Sequence, residues 1–590
     1  MNIVGVSAFY HDSSCCLLRN GKLVAAVQEE RFSRLKHDRS LPVQSFRYCL
    51  KEAGLGITDI DCLAYYELPA KKRERQVFQH NNQPKNNRDI LYDPVYVEEA
   101  IRKRLGYEGS ILYFEHHHSH AASAFYFSGF EEAAILTVDG VGEWATTTYG
   151  IGRGASIDLF DEVHFPHSLG LFYATLTAFL GFKINDGEYK VMGLAAYGKP
   201  RYVNEIRTLI KSGVDGQFQL NLSYFDFVNG QTMYSQRLAE LLGGPPRQPG
   251  SDISIFHKDV AKSTQQVLEE ILLEKVAWLA HQVDTPNLCM AGGVALNCVA
   301  NGRILREGPF KRLFVQPASG DAGCCLGAAA LAHVQLTGHR HSYKSIKDVF
   351  LGPGYSENEL GHLLRVSGFP ILNFIGDENT LLQNIVDRLV SNKVIGWFQG
   401  RMEFGPRALG ARCILANPMD ESMRDKLNTM IKKRESFRPF APSVLDQHAS
   451  THFDLSHSSP FMLETCQIIS PLQLPGVKHI DNSARPQTVS KRHNHRFAAL
   501  IDAFYLRTGC PILVNTSFNV NNEPIVCTPA DALFCMIEAK LDCLVLGDYI
   551  IDKESLQSDL AALTAQWQQK PPRIVKNKTS PLQESLYSFV

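Results

Sequence analysis

The beginning of the chain alternates short apolar runs with polar turns. Residues 3–6, 15–18 and 23–27 are apolar, and their length and spacing predict three strands. A polar turn at residues 10–14 separates the first two runs. The Asn20-Gly21 dipeptide between the last two is a strong signal for a tight hairpin. The pattern therefore predicts three strands connected by two turns.

A similar order begins farther along the chain. The apolar run 134–138 is followed by the acidic turn Asp139-Gly140 and by the β-branched run 146–149. Two related halves would suit a duplicated fold with a cleft between them. The order of strand, turn, strand, turn and strand is typical of the beginning of an actin-like ATPase domain, in which the first turn faces a phosphate. We therefore expect the chain to begin with a duplicated α/β domain of the actin-like type.

Further elements continue this domain. The spacing of apolar residues over 260–283 predicts one amphipathic helix. The apolar runs 288–290 and 313–315 predict two more strands, and the small residues at 327–332 predict a helix packed closely against the sheet. These elements alternate, as expected for α/β structure.

Breaker residues divide the chain. Gly352-Pro353-Gly354 marks the end of a first domain over residues 1–355. A second α/β domain is expected over residues 356–555, with its own strand at 394–397. Residues 556–590 lose the strand pattern and are expected to form a mobile C-terminal tail.

Composition and charge narrow the class of protein. A chain of 590 residues exceeds what one hydrophobic core usually serves, which agrees with two domains. Its 60 basic and 61 acidic residues give a net charge of −1, so no nucleic acid or anionic membrane surface is expected as the main partner. The most apolar stretch, residues 168–182, is too short to cross a bilayer. The 14 cysteines include no C-x-x-C pair, so the spacing predicts no thiolate zinc site, and we expect a reducing, cytoplasmic location.

The sharpest local pattern is a histidine cluster. His116 and His120 are four residues apart, so on a helix they lie on one face and can bind one metal ion. Asp139 and Asp321 are expected at the ends of strands and could complete the site. Two histidines and two carboxylates suit iron, manganese or zinc. The alternative is a polar helix start that carries surface histidines.

A glycine pair follows the strand predicted at 288–290. Gly292 and Gly293 would let the backbone approach a nucleotide, and Asn297 would lie at the helix N-terminus that favours a phosphate. Close packing of a helix against the sheet explains the same glycines equally well. The pattern alone leaves both interpretations open.

Arginine and polar clusters mark the second domain. Residues 400–410 and 432–442 combine basic side chains with glycine, proline and phenylalanine, which favours partly buried guanidinium groups that bind phosphate or carboxylate. A polar loop at 515–519 follows a predicted strand, where sites are common. The alternative is a solvated basic face, with Arg407 and Arg438 as ion-pair partners of nearby glutamates.

Several of these motifs together resemble a known family, the ATP-dependent O-carbamoyltransferases of nodulation-factor and antibiotic biosynthesis. The resemblance runs from Met1 to about Asp552. It is strongest at residues 10–13, 29–37, 116–124, 400–410, 434–442 and 515–519. It implies an actin-like (ASKHA) N-terminal domain and a YrdC-like α/β C-terminal domain. The second domain would form carbamoyl-adenylate from carbamoyl phosphate and ATP, and the first would transfer the carbamoyl group to a hydroxyl of a small-molecule acceptor.

The resemblance also implies roles for individual residues. A divalent metal, with Fe²⁺ as the expected ion, would bind His116, His120, Asp139 and Asp321. Lys36 would lie near the adenylate, and His11 near the acceptor hydroxyl as a candidate general base. The alternative for Lys36 is a surface lysine without a role at the site. The alternative for His11 is a histidine that only satisfies the turn at Asp12-Ser13. The residues implied to hold ATP, with Mg²⁺, and carbamoyl phosphate are Arg401, Lys432, Arg434, Arg485, Asn515, Ser517 and Asn519.

One position departs from the family pattern. Asn522 stands where the family usually has a glycine before Glu-Pro-Ile-Val. Asparagine tolerates the left-handed backbone conformation better than most residues, so we expect the turn to survive. A homodimer would be unremarkable for such an enzyme.

Three other functions compete with this interpretation. An actin-like phosphotransferase would also bind ATP, but it leaves the histidine pair and the second domain unexplained. A threonylcarbamoyl-type tRNA-modifying enzyme would be expected to carry a basic surface, which the net charge of −1 does not indicate. A non-catalytic nucleotide-binding regulator would bind ATP without releasing pyrophosphate in response to carbamoyl phosphate.

Overall fold

The computed structural model describes residues 1–80, 94–228, 232–340 and 344–556. Within this part the chain forms two compact units. The first contains Met1–Glu29 and His37–Ile346, and the second contains Glu30–Lys36 and residues 347–556. Residues 30–36 fall within the predicted first domain, whereas the structure packs them with the second unit. The predicted tail lies outside the described residues except for Leu556.

The first unit contains two five-stranded sheets. Its first sheet has the strand order β3-β2-β1-β4-β5. Strands β1, β2 and β3 are antiparallel, and β4 and β5 run parallel to β1. These strands are β1 (Asn2–Ser7), β2 (Ser14–Arg19), β3 (Lys22–Gln28), β4 (Cys62–Tyr65) and β5 (Ile111–Tyr113).

The second sheet repeats this arrangement. Its order is β8-β7-β6-β11-β12, with three antiparallel strands followed by two that run parallel to β6. These strands are β6 (Glu132–Val138), β7 (Ala145–Arg153), β8 (Ser156–His164), β11 (Asn287–Ala291) and β12 (Arg312–Val315), and a small hairpin is formed by β9 (Ile210–Ser212) and β10 (Phe218–Leu220). The common order confirms the predicted duplicated α/β domain of the actin-like type.

Helices connect and cover these sheets. The helix predicted over 260–283 is observed over Ile255–Gln282. Helix α1 (Glu30–Ser33) belongs to the second unit. The α-helices described in the first unit are α2 (Val43–Ala53), α3 (Pro69–His80), α4 (Pro94–Ala100), α5 (His116–Ser128), α6 (Leu169–Phe179), α7 (Glu188–Leu194), α8 (Val203–Arg207), α9 (Gln236–Leu242), α10 (Ile255–Gln282), α11 (Cys298–Glu307) and α12 (Asp321–Thr337).

Two of these helices, α5 and α12, pack against each other in the middle of the first unit. Helix α12 also packs against β1, β2 and β4 of the first sheet, and α5 packs against β6, β7 and β11 of the second. Gly327 allows the close approach of the two helices, because a Cβ atom there would lie 1.8 Å from the carbonyl oxygen of Ser119. The predicted run of small residues therefore serves this contact, which brings the N-terminal ends of the two helices together.

The second unit is built around one mixed eight-stranded sheet. Its strand order is β13-β22-β21-β14-β15-β20-β16-β19, and the strand predicted at 394–397 is β14. The strands are β13 (Leu372–Asn373), β14 (Ile395–Phe398), β15 (Arg412–Ala416), β16 (Ala441–Leu445), β19 (Gln487–Val489), β20 (Ile512–Ser517), β21 (Cys543–Leu546) and β22 (Tyr549–Asp552), and a separate pair is formed by β17 (Cys466–Gln467) and β18 (Ser483–Ala484).

Helices and a fully buried tryptophan complete the second unit. Trp397 on β14 lies in its hydrophobic core and donates its indole N–H to the carbonyl of Gly410 at 2.9 Å. The helices are α13 (Glu357–Ser367), α14 (Glu378–Val390), α15 (Met423–Asp425), α16 (Ala449–His452), α17 (His495–Thr508) and α18 (Pro529–Glu538). The mixed sheet and its helices confirm the predicted α/β class of this unit.

Candidate metal centre and phosphate-binding residues

Helix α5 presents the two histidines of the predicted metal site. The helix begins at His116, and the carboxylate of Glu143 accepts hydrogen bonds from the backbone N–H groups of His116 and Leu68, at 3.0 and 2.7 Å. This contact satisfies an N–H group that the first turn of a helix leaves without an internal partner. His120 follows one turn later, so both imidazoles project from the same face.

Two aspartates face the histidines from other elements. Asp139 directly follows β6, as predicted. Asp321 is the first residue of α12 and lies beyond the end of β12, so its predicted place at a strand end is wrong. The packing of α12 against α5 nevertheless brings the Asp321 carboxylate to the same place.

The four side chains form one buried cluster. Nε2 of His116 lies 3.4 Å from Asp139 Oδ2 and 3.7 Å from Asp321 Oδ1. Nε2 of His120 lies 3.6 Å from Asp321 Oδ1 and 3.9 Å from Asp139 Oδ2. One potential ligand atom from each residue lies within 4.8 Å of the others. The geometry therefore brings together all four predicted ligands.

Several atoms of this cluster are buried without hydrogen-bond partners among the described residues. They include both ring nitrogens of His120, Nδ1 of His116 and both carboxylate oxygens of Asp321. Leaving such groups unsatisfied costs free energy, and more so when the group is charged. A divalent cation would satisfy them, because imidazole and carboxylate together suit iron, manganese or zinc. The residues present therefore fit the implied metal.

The charges within the cluster change its pKa values. Burial lowers the pKa of His116, but the negative charges of Asp321 and Asp139 outweigh burial and raise that pKa to about 9. Burial raises the pKa of Asp139, but a hydrogen bond from His116 and the charge of His120 hold it well below its usual range. The strong attraction between opposite charges marks this cluster as a candidate functional site.

The glycine pair positions one of the aspartates. Gly293 donates its backbone N–H to Asp139 Oδ1 at 2.7 Å. Gly292 has a φ of 97°, and a Cβ atom there would lie 2.2 Å from the carbonyl oxygen of Val138. Asn297 caps α11 and exchanges hydrogen bonds with the side-chain amide of Gln265, at 3.0 Å each. These contacts agree with the packing interpretation, and a nucleotide role for the three residues stays a prediction.

His11 lies beside the cluster. Its Nε2 atom is 3.9 Å from Asp321 Oδ2, and its Nδ1 atom is 2.9 Å from Asp12 Oδ2. The second oxygen of Asp12 lies 2.8 Å from Nδ1 of His37. Burial lowers the pKa of His11, but the charges of Asp321 and Asp12 raise it to about 9. Asp12 and His37 were not predicted as site residues, although both lie within the motifs that carry the family resemblance.

In the second unit, a buried lysine holds the polar loop after β20. The ammonium group of Lys432 donates to the backbone and side-chain oxygens of Asn519, both at 2.8 Å, and to the carbonyl of Ser517. The Ser517 hydroxyl donates to Asn519 Oδ1 at 2.7 Å. Burial and the charge of Arg434 hold the pKa of Lys432 well below its usual range. The structure therefore brings together three of the predicted phosphate-binding residues.

Four further predicted residues of this unit have different surroundings. Arg434 donates to Asn428 Oδ1 at 2.8 Å and lies 4.5 Å from the centre of the Phe440 ring. Arg401 donates to the backbone carbonyls of Leu351 and Gly352. Arg485 is half-buried and has no hydrogen bond or ion pair with any described residue. The Asn515 side-chain amide is buried and donates to Ala408, Ser443 and Gln487.

Four other residues bear on the predictions for this unit. Arg438 lies 3.7 Å from Glu435, as the ion-pair alternative expected. Arg412, which was not predicted as a site residue, is fully buried, and its guanidinium lies 3.6 Å from the Phe398 ring centre. It donates to the carbonyls of Pro353, Gln399 and Gly400, so it supports the backbone around residues 353 and 399–400. Asn522 has a φ of 64°, which confirms that asparagine adopts the left-handed turn there. Lys36 is half-buried in the second unit, and its role near an adenylate stays a prediction.

Comparison with known proteins covers both units. The family description "Carbamoyltransferase N-terminus" matches residues 2–330, and "Carbamoyltransferase C-terminus" matches residues 386–553. An uncharacterized protein of Synechocystis sp. is 43% identical over 94% of this chain and 97% of its own length. The nodulation protein NolNO of Sinorhizobium fredii is 37% identical over 93% of this chain and 80% of its own length.

The match to a relative whose name states a reaction covers a shorter part of this chain. The 3'-hydroxymethylcephem-O-carbamoyltransferase of Amycolatopsis lactamdurans is 33% identical over 49% of this chain and 53% of its own length. Among the residues that the structure describes, no helix is long and apolar enough to cross a membrane. Because the first family description covers more than half of the chain and the second covers most of the other unit, the resemblance drawn from the motifs is confirmed. The chain belongs to the carbamoyltransferase family and is an enzyme.

Proposed function

We propose that the chain is an ATP- and carbamoyl-phosphate-dependent O-carbamoyltransferase that acts on a hydroxyl of a small-molecule natural product. The second unit would form carbamoyl-adenylate from carbamoyl phosphate, ATP and one water molecule, and release phosphate and pyrophosphate. The first would transfer the carbamoyl group to the acceptor and release AMP. The observation that carries the proposal is the buried cluster of His116, His120, Asp139 and Asp321, with its unpartnered atoms, in a chain of this family.

The transfer step is supported by the position of His11. The acceptor oxygen would attack the carbamoyl carbon, and the bond from that carbon to the AMP phosphate oxygen would break. Nε2 of His11 would accept the hydroxyl proton, because Asp12 Oδ2, at 2.9 Å, holds the other ring nitrogen as a donor. Asp12 in turn is oriented by His37, at 2.8 Å.

The candidate metal ligands support the same step. A divalent ion bound by His116, His120, Asp139 and Asp321, proposed to be Fe²⁺, would act as a Lewis acid on the carbamoyl or phosphate oxygen. The Asp321 charge contributes to the raised pKa of His11. A cation on Asp321 would offset this charge, so the pKa of His11 would fall toward the range in which a histidine accepts a proton at neutral pH.

Activation in the second unit is supported by the loop that Lys432 holds. Ser517 and Asn519 would present polar groups to ATP, with Mg²⁺, and to carbamoyl phosphate, while Arg434 and Arg485 would supply guanidinium groups. Arg485 has no partner among the described residues, so its donors can bind an anion without breaking an existing contact. We further propose that the enzyme works in the cytoplasm as a monomer or homodimer.

The test is pyrophosphate release from purified protein supplied with ATP, with and without carbamoyl phosphate. Release that depends on carbamoyl phosphate supports the proposal. ATP consumption that ignores carbamoyl phosphate would contradict it and favour a phosphotransferase. Absence of release from folded, metal-loaded protein would also contradict the proposed half-reaction. Arg485→Ala serves as a matched variant, because it removes a proposed anion ligand without removing any hydrogen bond or ion pair between described residues.

A further inference from the structure

A thiol lies next to the histidines of the candidate metal centre. Cys324 Sγ and one ring nitrogen each of His116 and His120 lie within 4.8 Å of one another. This triplet shares both histidines with the cluster that contains Asp139 and Asp321. Cys324 follows Asp321 by three residues on α12, so the two side chains lie on the same face of that helix.

The Cys324 thiol differs from its neighbour in its surroundings. Cys324 is completely buried and has no hydrogen bond with any described residue. Cys325 is equally buried, but its thiol contacts the carbonyl oxygen of Ala322 at 3.3 Å. His120, which faces Cys324, has no hydrogen-bond partner on either ring nitrogen. A buried thiol and a buried imidazole therefore face each other without any hydrogen bond to satisfy them.

The distances permit a shared metal ion. Around a tetrahedral ion, a sulfur ligand at about 2.3 Å and a nitrogen ligand at about 2.0 Å lie about 3.5 Å apart. Because the three atoms lie within 4.8 Å of one another, the sulfur and each nitrogen need to approach by at most about 1.3 Å, which a change of side-chain rotamers can supply.

We propose that Cys324 is a sulfur ligand of the metal centre, which then contains two imidazoles, a thiolate and carboxylate oxygen. The inference rests on the proposed metal site. On binding, the thiol loses its proton to solvent and the sulfur donates an electron pair to the metal. A thiolate makes the site softer than histidine and carboxylate alone, and both Fe²⁺, the ion proposed above, and Zn²⁺ accept nitrogen, oxygen and sulfur ligands together.

Sequence spacing could not reveal this ligand. The chain has no C-x-x-C pair, and Cys324 is more than two hundred residues from His116. Only the packing of α12 against α5 brings the sulfur to the histidines. The absence of a thiolate motif therefore does not exclude a thiolate ligand.

The test is the absorption spectrum of the full chain loaded with Co²⁺ alone. Sulfur bound to Co²⁺ produces a strong charge-transfer band in the near ultraviolet, whereas nitrogen and oxygen ligands do not. We expect this band in the wild-type protein with one Co²⁺ per chain. We expect Cys324→Ser to bind Co²⁺ without the band, and Cys325→Ser, the matched control on the same helix, to retain it.

Each other outcome overturns the inference. Bound Co²⁺ without the band in the wild type would exclude the sulfur ligand but leave the histidine and carboxylate site. A band that persists in Cys324→Ser would assign the sulfur to another cysteine. No Co²⁺ binding by the folded wild type would remove both the inference and the metal site on which it rests. If Cys324→Ser fails to fold, X-ray absorption of the Co²⁺-loaded wild type still decides, because it detects sulfur in the first coordination sphere.

Discussion

Replacement of Asp12 by asparagine tests whether the His11–Asp12–His37 chain orients the proposed general base. The two oxygens of Asp12 each face one histidine, at 2.9 and 2.8 Å. Asparagine keeps the size of the side chain but offers only one acceptor oxygen, so one histidine must face an NH₂ group instead. Asp12 has a φ of 56°, a conformation that asparagine also tolerates, so the backbone turn should remain.

The expected effect follows from the hydrogen bond that is lost. A hydrogen bond to a charged group contributes about 1.5–3 kcal/mol, and each 1.36 kcal/mol in the barrier changes a rate tenfold. We therefore expect Asp12→Asn to slow carbamoyl transfer by about 10- to 150-fold. Because Asp12 belongs to the first unit, pyrophosphate release by the second should change little.

The assay measures both half-reactions in the same samples. Pyrophosphate release reports activation, and formation of the carbamoylated acceptor reports transfer, once a screen has found an acceptor. Asp186→Asn is the control, because Asp186 Oδ1 approaches His37 Nε2 only at 3.7 Å, beyond hydrogen-bond distance. A transfer rate in Asp12→Asn within twofold of the wild type would refute the orienting role, and an equal loss of both half-reactions would refute the separation of the two sites.

Three further predictions concern other parts of the structure. His120→Ala should lower the amount of metal retained per chain, measured by elemental analysis, and abolish transfer, while pyrophosphate release persists; unchanged metal content would contradict the ligand assignment. Arg434→Ala should stop carbamoyl-phosphate-dependent pyrophosphate release but spare transfer from supplied carbamoyl-adenylate. A loss confined to transfer would contradict the assignment of Arg434 to the activation step. Gly327→Ala adds a Cβ atom that would lie 1.8 Å from Ser119 O, so it should lower the free energy of unfolding by about 1–3 kcal/mol in denaturant titrations. Gly320→Ala is the control, because a Cβ atom there meets no atom within 4 Å and the φ of −73° suits alanine.

Local patterns in the sequence predicted the elements that depend on neighbouring residues. The apolar runs at 3–6, 15–18 and 23–27 correspond to β1, β2 and β3, because strand length and turn chemistry are local properties. The pair His116 and His120 was found in the same way, since residues four apart share a helix face.

Contacts between distant residues could not be derived from these patterns. The approach of Asp12 to His37 depends on two left-handed turns, with a φ of 56° at each residue, and no periodicity encodes it. Likewise, the position of Asp321 depends on how α12 packs against α5, and its own neighbours suggested only the end of a strand. The buried Arg412 shows the same limit, because a guanidinium that supports a loop and one that binds a phosphate have similar sequence surroundings.

The segment Glu30–Lys36 affects how the two half-reactions can be separated. Its Arg34 donates to the carbonyls of Pro524 and Ile525, both at 2.7 Å, and its Arg31 donates to the carbonyl of Gly405 at 2.9 Å. A chain shortened to begin at Lys347 would lose these donors and leave the three carbonyls without them. Inactivity of such a fragment would therefore report a missing piece of its own fold rather than a need for the other unit. Point substitutions in the full-length protein are thus the sounder way to assign each chemical step to its unit.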